Sequence, residues 1–400
     1  MVSRGFSRLG GYRRNAKGIP LFHTRKITSN IEIEIDAEMA SAIEKASHSV
    51  GKLVGSSQLL PNPEHFVYMY LRLEALISSR IEGTQASLMD LLQYEQERVE
   101  KERDDDLVQV SNHLEILQTL VSRKRRAPLG LDELIKLHAQ LMRDTRGHRA
   151  AGRLRHQQNW IGSGGPIEEA SFVPPPPGEV KPAMLDLLKF VHEERDLPPL
   201  LVSAVAHAQF ETIHPFLDGN GRMGRFLIHY ILWQRSIVEQ PILYLSHYLR
   251  RRQADYYTRL QATRDNDELE EWCLMFLEGV TDVAVEALER SRLVIAAKTE
   301  MEAAVRADLG RRAGTALQVL ERMYQQPVAD VRQIAEWTGM TATSANTLAA
   351  ELTKAGVFSE LTGQKRNRRF AITRYLAFFT ALDEADDPRA PRGGTGRTRR

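Results

Sequence analysis

The chain has 400 residues, 26% charged and 42% hydrophobic, which predicts two to four domains and excludes a disordered chain, a fibrous protein and a disulfide scaffold. Lys and Arg number 54 against 52 Asp and Glu, so a net charge of +2 excludes a general polyanion binder while leaving room for local patches. A single cysteine, Cys273, excludes an intrachain disulfide and a Cys-based zinc site, and no apolar run approaches the ~18 residues of a membrane span.

Residues 1–31 carry seven Lys or Arg and no acid. They read as a basic flexible N-terminus, or as a segment that wraps onto the body of the protein. An amphipathic helix is expected at 36–60, ended by Pro61-Asn62-Pro63. From 64 to 80, Phe66, Met69, Tyr70, Leu73, Leu76 and Ile77 recur at steps of three and four, the period of a helix with one buried face. Gly83 can end that helix in the left-handed conformation. Further helices are expected at 86–101, 105–123 and 131–144. A long irregular region from Gly147 to Pro182 holds Pro174-Pro175-Pro176-Pro177, which fits neither a helix interior nor a central strand. Helices resume at 182–195, 198–212, 219–236, 241–262 and 267–298. After Gly310, three short helices over 315–355 precede two strands around a basic tip, Lys365-Arg366-Asn367-Arg368-Arg369. That layout predicts a helix-turn-helix with a wing. The last residues are Arg-, Gly- and Pro-rich, as in a disordered basic tail.

The chemistry is concentrated in residues 214–225. Gly219 and Gly221 flank Asn220 just before a helix. Glycines there leave backbone N–H groups open, and a helix N-terminus favours anions. Arg222 and Arg225 share one face of the first turn, beside Met223 and Gly224. Two guanidiniums at such a nest suit a polyphosphate. Asp218 at its rim can hold a magnesium ion that bridges phosphates. His214 can act as a general base near neutral pH.

This segment resembles the signature of the Fic family, His-x-Phe-x-Asp/Glu-Gly-Asn-Gly-Arg-x-x-Arg. It is matched at His214, Phe216, Asp218, Gly219, Asn220, Gly221, Arg222 and Arg225. The likeness extends over roughly residues 35–290. It implies an all-α Fic-type core with a small β-hairpin flap, followed here by a C-terminal winged helix-turn-helix domain. It implies transfer of AMP from Mg²⁺-ATP to a Tyr, Thr or Ser hydroxyl of a target protein, which can be the chain itself. His214 would be the base, Asp218 the Mg²⁺ ligand, and Gly219, Asn220, Gly221, Arg222, Met223, Gly224 and Arg225 the phosphate site. The flap would run through Glu169, Ala170, Ser171 and Phe172. Tyr256 and Tyr257 match a family position near the adenine, whereas a family asparagine seven residues further on is Arg264 here.

Ser78, Glu82 and Gly83 match the family's inhibitory pattern, Ser/Thr-x-x-x-Glu-Gly/Asn. A carboxylate pairs bidentately with a guanidinium. Glu82 paired with Arg225 would keep that arginine from the γ-phosphate. The expected organisation is a flexible segment over 1–31, a helical region with the inhibitory helix over 32–110, a catalytic core over 111–300, a winged helix over 310–382 and a tail over 383–400. The resemblance also implies a bacterial cytoplasmic protein with no membrane partner; a homodimer is an open reading. Removal of AMP on the same scaffold, and a DNA-binding regulator whose core senses nucleotide, are the alternatives.

Overall fold

A computed structural model describes residues 7–28, 31–58, 63–96, 104–123, 125–162, 164–364 and 368–386. The described chain is mostly helical, with two small antiparallel sheets. It divides into two compact units, one of residues 1–82 and 101–291, the other of 83–100 and 292–400. Residues 83–100 thus count with the C-terminal unit, and not with the helical region of 32–110.

The first unit opens with a hairpin, β1 (Gly10–Arg14) and β2 (Pro20–Thr24), in register from Gly10–Thr24 to Arg14–Pro20. Charge count alone suggested a loose segment here. Its apolar residues decide otherwise: Leu9, Ile19, Leu21, Phe22 and Ile27 are buried. Its bases also find distant acids. The Arg8 guanidinium meets Asp267 at 3.1 Å and Glu270 at 2.5 Å, and Tyr12 donates to Asp265 at 2.8 Å. The turn closes because the Asn15 side chain accepts from the Lys17 and Ile19 amides. Residues 1–6 lie outside the described chain.

Helices follow as α1 (Ala37–Gln58), α2 (Pro63–Ile81), α4 (Asp105–Ser122) and α5 (Leu131–Leu141), with α3 (Leu88–Gln96) belonging to the second unit. Next come α6 (Pro177–Glu193), α7 (Pro199–Ile213), α8 (Asn220–Gln234), α9 (Leu245–Arg251) and α10 (Gln253–Asp265). The proline run does not wait until 182 to become helix. Pro177 starts α6, where its missing N–H costs nothing, whereas Pro182 lies inside the helix and forgoes the bond to the carbonyl four residues earlier. The helix expected over 241–262 is two, broken at Arg252. Nearly every side chain of α7 and α8 is buried. They form the central pair, with α2, α4, α6 and α10 around them. Helix α11 (Leu269–Asp308) begins in this unit and continues into the second.

In the second unit, α12 (Ala313–Gln325), α13 (Val331–Thr338) and α14 (Ala342–Lys354) fall where three short helices were expected. Asp330 and Gln333 form a capping box at the start of α13. A strand not foreseen, β3 (Val328–Asp330), pairs with β5 (Arg369–Ala371), which also pairs with β4 (Ser359–Glu360). Helix α15 (Thr373–Asp386) follows. Lys365, Arg366 and the tail beyond 386 lie outside the described residues. No helix among the described residues is long and apolar enough to cross a membrane.

Candidate active site

The loop between α7 and α8 carries the twelve-residue motif. Helix α7 stops at Ile213 because His214 takes a left-handed conformation, φ 48° and ψ 62°. For a non-glycine residue this costs about 1–2 kcal/mol. Arg155 holds it there: its Nε donates to the His214 carbonyl at 2.8 Å, and its amide to the Pro215 carbonyl at 2.9 Å. The Phe216 ring is fully buried and stacks on His138, with centroids 3.7 Å apart and planes 6° from parallel. His138 accepts from the Gly152 amide at 3.1 Å, so its other nitrogen donates to the Asp218 carbonyl at 3.0 Å. The Asn220 side chain turns back onto Phe216, accepting from its amide at 2.8 Å and donating to its carbonyl at 2.9 Å. Gly219 caps α8 with φ 77°, a conformation that glycine adopts without penalty.

Helix α8 then presents its N-terminus and two arginines. Arg222 and Arg225 are each 2% exposed. Burial lowers the affinity of Arg222 for its proton, and its Nε and Nη1 atoms have no partner. Buried donors without acceptors leave room for an anion. Arg225 instead has three partners on and just beyond α2. It donates to Ser78 Oγ at 2.7 Å, to the Ser78 carbonyl at 2.9 Å and to Glu82 Oε1 at 2.5 Å. A Cβ built on Gly221 would fall 2.1 Å from Glu82 Oε1. The Glu82 carboxylate therefore occupies the space that the absent side chain of Gly221 leaves at the start of α8. Although Glu82 loses hydration there, the Arg225 and Arg222 charges hold its carboxyl below the usual range. Gly83 follows in the left-handed region, φ 104°.

His214 is 18% exposed, and burial with the nearby charges of Arg264 and Arg155 lowers its pKa to about 4. Its ring is thus neutral at pH 7, the form that accepts a proton. The Asp218 side chain is 58% exposed; Oδ1 accepts from the Gly219 amide at 2.6 Å and lies 3.8 Å from Arg222. A lone exposed carboxylate beside a helix N-terminus could serve Mg²⁺, which binds through one or two carboxylates plus phosphate oxygens. Among the described residues there is no group of three or more His, Cys, Asp or Glu side chains that could hold a metal ion.

Residues 128–232 match the model of the Fic/DOC family, and residues 40–119 that of the Fic/DOC family N-terminal region. The chain carries a Fic/DOC domain. It is 38% identical over 69 residues to a probable protein adenylyltransferase of Aquifex aeolicus, which covers 17% of this chain and 22% of that protein. It is 26% identical over 165 residues to the protein adenylyltransferase fic-1 of Caenorhabditis elegans, or 41% of this chain and 30% of that protein. The chain thus spans about a fifth to a third of the length of these curated relatives. A Fic family protein from Desulfovibrio desulfuricans superimposes with a TM-score of 0.56 at 20% identity, over 85% of this chain and 97% of that one. That likeness establishes the fold.

Not every residue expected in the site faces it. Met223 is fully buried in the core of the Fic/DOC domain, and Gly224 faces Glu211 of α7. At 3.6 residues per turn, positions 221, 222 and 225 share a face that 223 and 224 do not. Asn220 braces the loop with its side chain. Tyr256 is buried and bonds His207 at 2.8 Å, whereas Tyr257 is 47% exposed and alone of the two keeps a free face. In the flap segment, Glu169 closes a short 3-10 turn, and Ile161 bridges Phe172 as a single pair and not a full hairpin. Ser171 Oγ donates to the Ile161 carbonyl at 2.8 Å. Phe172 is buried under the Arg264 guanidinium, 4.0 Å away, with the Tyr12 and Phe22 rings beside it. Ala170 lies against the cluster of Ile19, Leu21 and Val173. His138 and Arg155 went unrecognised in the sequence, since no local pattern marks them, and Arg264 was noted only as standing at a family asparagine position.

Proposed function

We propose that the protein is an adenylyltransferase that moves AMP from ATP to a hydroxyl of a target protein, and that Glu82 restrains it. One observation carries this reading. An in-chain carboxylate sits on the Gly221 face of the α8 N-terminus and pairs with Arg225, so the cradle is shaped for an anionic group. The relatives' names supply the donor, and the motif supplies the base.

His214 takes the proton of the target hydroxyl. The freed oxygen forms a bond to the α-phosphorus, the bond from that phosphorus to the bridging oxygen breaks, and pyrophosphate leaves. The α8 amides and the unpartnered donors of Arg222 balance the charge that develops on the phosphate oxygens. Arg225 receives the γ-phosphate once Glu82 withdraws. Asp218 would hold Mg²⁺, which when bound neutralises phosphate charge. Tyr257 and the segment from Glu169 to Phe172 are proposed contacts for adenine and for the target backbone, the latter by strand addition.

The C-terminal unit is read as a winged helix from its order of α12, β3, α13, α14, β4, β5 and α15. Arg368 at the base of the wing is engaged with Glu360 at 2.6 Å and Asn346 at 3.2 Å. Those partners favour a protein-contact or structural role over DNA binding.

The test is incubation of the parent and Glu82→Gly proteins with Mg²⁺ and α-labelled ATP. Label on protein that is raised by Glu82→Gly, and lost on adding His214→Ala, is the expected result. Absence of label from enzyme and lysate alike, with ATP still bound, would refute transfer and turn attention to AMP removal.

A further inference from the structure

Glu211 lies in the last turn of α7, three residues before His214, and has no place in the mechanism above. Its side chain is 8% exposed, yet it lacks the partner that such burial normally demands. Oε1 is buried without a hydrogen bond, and Oε2 lies 3.8 Å from His214 Nδ1. Nδ1 is itself buried and unpartnered, whereas Nε2 is not closed off in this way. A carboxylate with no hydrogen bond at Oε1 and an imidazole with none at Nδ1 thus lie next to each other, Oε2 toward Nδ1.

The neighbouring helix is built around this carboxylate. A Cβ on Gly224 would fall 2.4 Å from Glu211 Oε1, and 3.2 Å from atoms of His207 and Phe210. Position 224 must therefore lack a side chain for Glu211 to occupy its site. The left-handed turn at His214, held by Arg155, folds the imidazole back toward α7 and this carboxylate.

We infer that Glu211 is a positioning residue for His214: its carboxylate holds the Nδ1–H tautomer, leaves Nε2 free to take the hydroxyl proton, and balances the imidazolium that results. The role of His214 in that sentence rests on the adenylyltransfer reading; the tautomer does not. The atoms balance simply. The Nδ1 proton stays on Nδ1, the substrate proton moves to Nε2, and the new positive charge faces an existing negative one. Only the ionised carboxylate can do this. A protonated Glu211 would donate to Nδ1 and put the ring proton on Nε2, which then cannot act as a base.

The groups around Glu211 set when it is ionised. Arg225 from α8 and Arg264 from α10 favour the carboxylate; burial and Glu82 oppose it, and its pKa rises to about 7. Tyr256 from α10 and His207 from α7 also face it, and both are neutral at pH 7. Withdrawal of Glu82 from Arg225 removes one repulsion. The step that opens the phosphate site therefore also favours the form of Glu211 that His214 needs. The Glu211 main-chain carbonyl faces His214 as well and is the competing acceptor.

The experiment is nitrogen NMR of ¹⁵N-histidine-labelled full-length protein, with His214 assigned by its loss in His214→Ala. At pH 8 the parent should show Nδ1 protonated and Nε2 bare. Glu211→Gln should shift the ring toward the Nε2–H form, and Glu211→Asp should restore it in part. Melting curves check that each variant is folded. An Nε2–H ring in the parent overturns the inference; so does a tautomer unchanged in Glu211→Gln, which assigns the Nδ1–H to the main-chain carbonyl. This readout needs no turnover, so it stands apart from failure of the adenylyltransfer reading. In the Glu82→Gly background, Glu211→Gln should lower kcat on the order of 100-fold with little change in KM for ATP. It should also remove the rising limb of the pH–rate profile. A kcat within twofold of the background, or a limb that persists, counts against the positioning role.

Discussion

Replacing Glu82 by glycine tests the restraint directly. Arg225 makes three bonds to Ser78 and Glu82, and only the one to Glu82 is between charges. A hydrogen bond to a charged group contributes about 1.5–3 kcal/mol. If the γ-phosphate must displace the Glu82 carboxylate to align ATP, its removal relieves that amount. At 1.36 kcal/mol per tenfold, transfer should rise roughly 10- to 150-fold. Stability should move the other way, because Arg225 is left buried without a carboxylate. Glu82 is 35% exposed, so the loss should stay below the ~3 kcal/mol of a fully buried pair. ATP would then restore an anion to the site and raise Tm more in the variant than in the parent. The assays are initial rates of α-label incorporation and melting with and without Mg²⁺-ATP. Equal rates in variant and parent, together with equal ATP-dependent shifts, would refute the reasoning.

His214→Ala should abolish transfer while ATP affinity, read by calorimetry, changes little, since the ring meets the hydroxyl and not the phosphates. Phe216→Ala empties a fully buried site and removes the stack on His138, and should cost about 3–5 kcal/mol in urea unfolding. Glu211 gives a pH signature. Its carboxyl holds its proton more tightly folded than unfolded, so its stabilising contribution is full below pH 4.5 and lost as pH climbs through about 7. A rise from 4.5 to about 7 is worth on the order of 3 kcal/mol. Glu211→Gln should therefore gain in Tm over the parent between pH 5 and pH 8; a constant difference across that range would refute it.

By itself the sequence determined the helical class, most helix positions and the motif. These are local signals. Helix α2 shows its period of three and four, α13 carries its capping box, and the residues of the 214–225 loop are adjacent in the chain. Local signals were weaker where a helix is buried all round, as in α7, or where tertiary contacts oppose composition. The hairpin of 10–24 looked like a basic tail because the acids that meet Arg8 and Tyr12 lie more than 250 residues away. Motif spacing brought Arg222 and Arg225 to one face, but it could not tell that Asn220 turns inward or that Met223 is core. The family resemblance already paired Glu82 with Arg225, 143 residues away; tertiary structure added that the same carboxylate fills the space beside Gly221. It also decided that Arg155 pins His214 and that Glu211 faces its buried nitrogen. Chain periodicity fixes which way a side chain points from its own element. What that side chain meets depends on how separate helices pack, and only the folded core sets those distances.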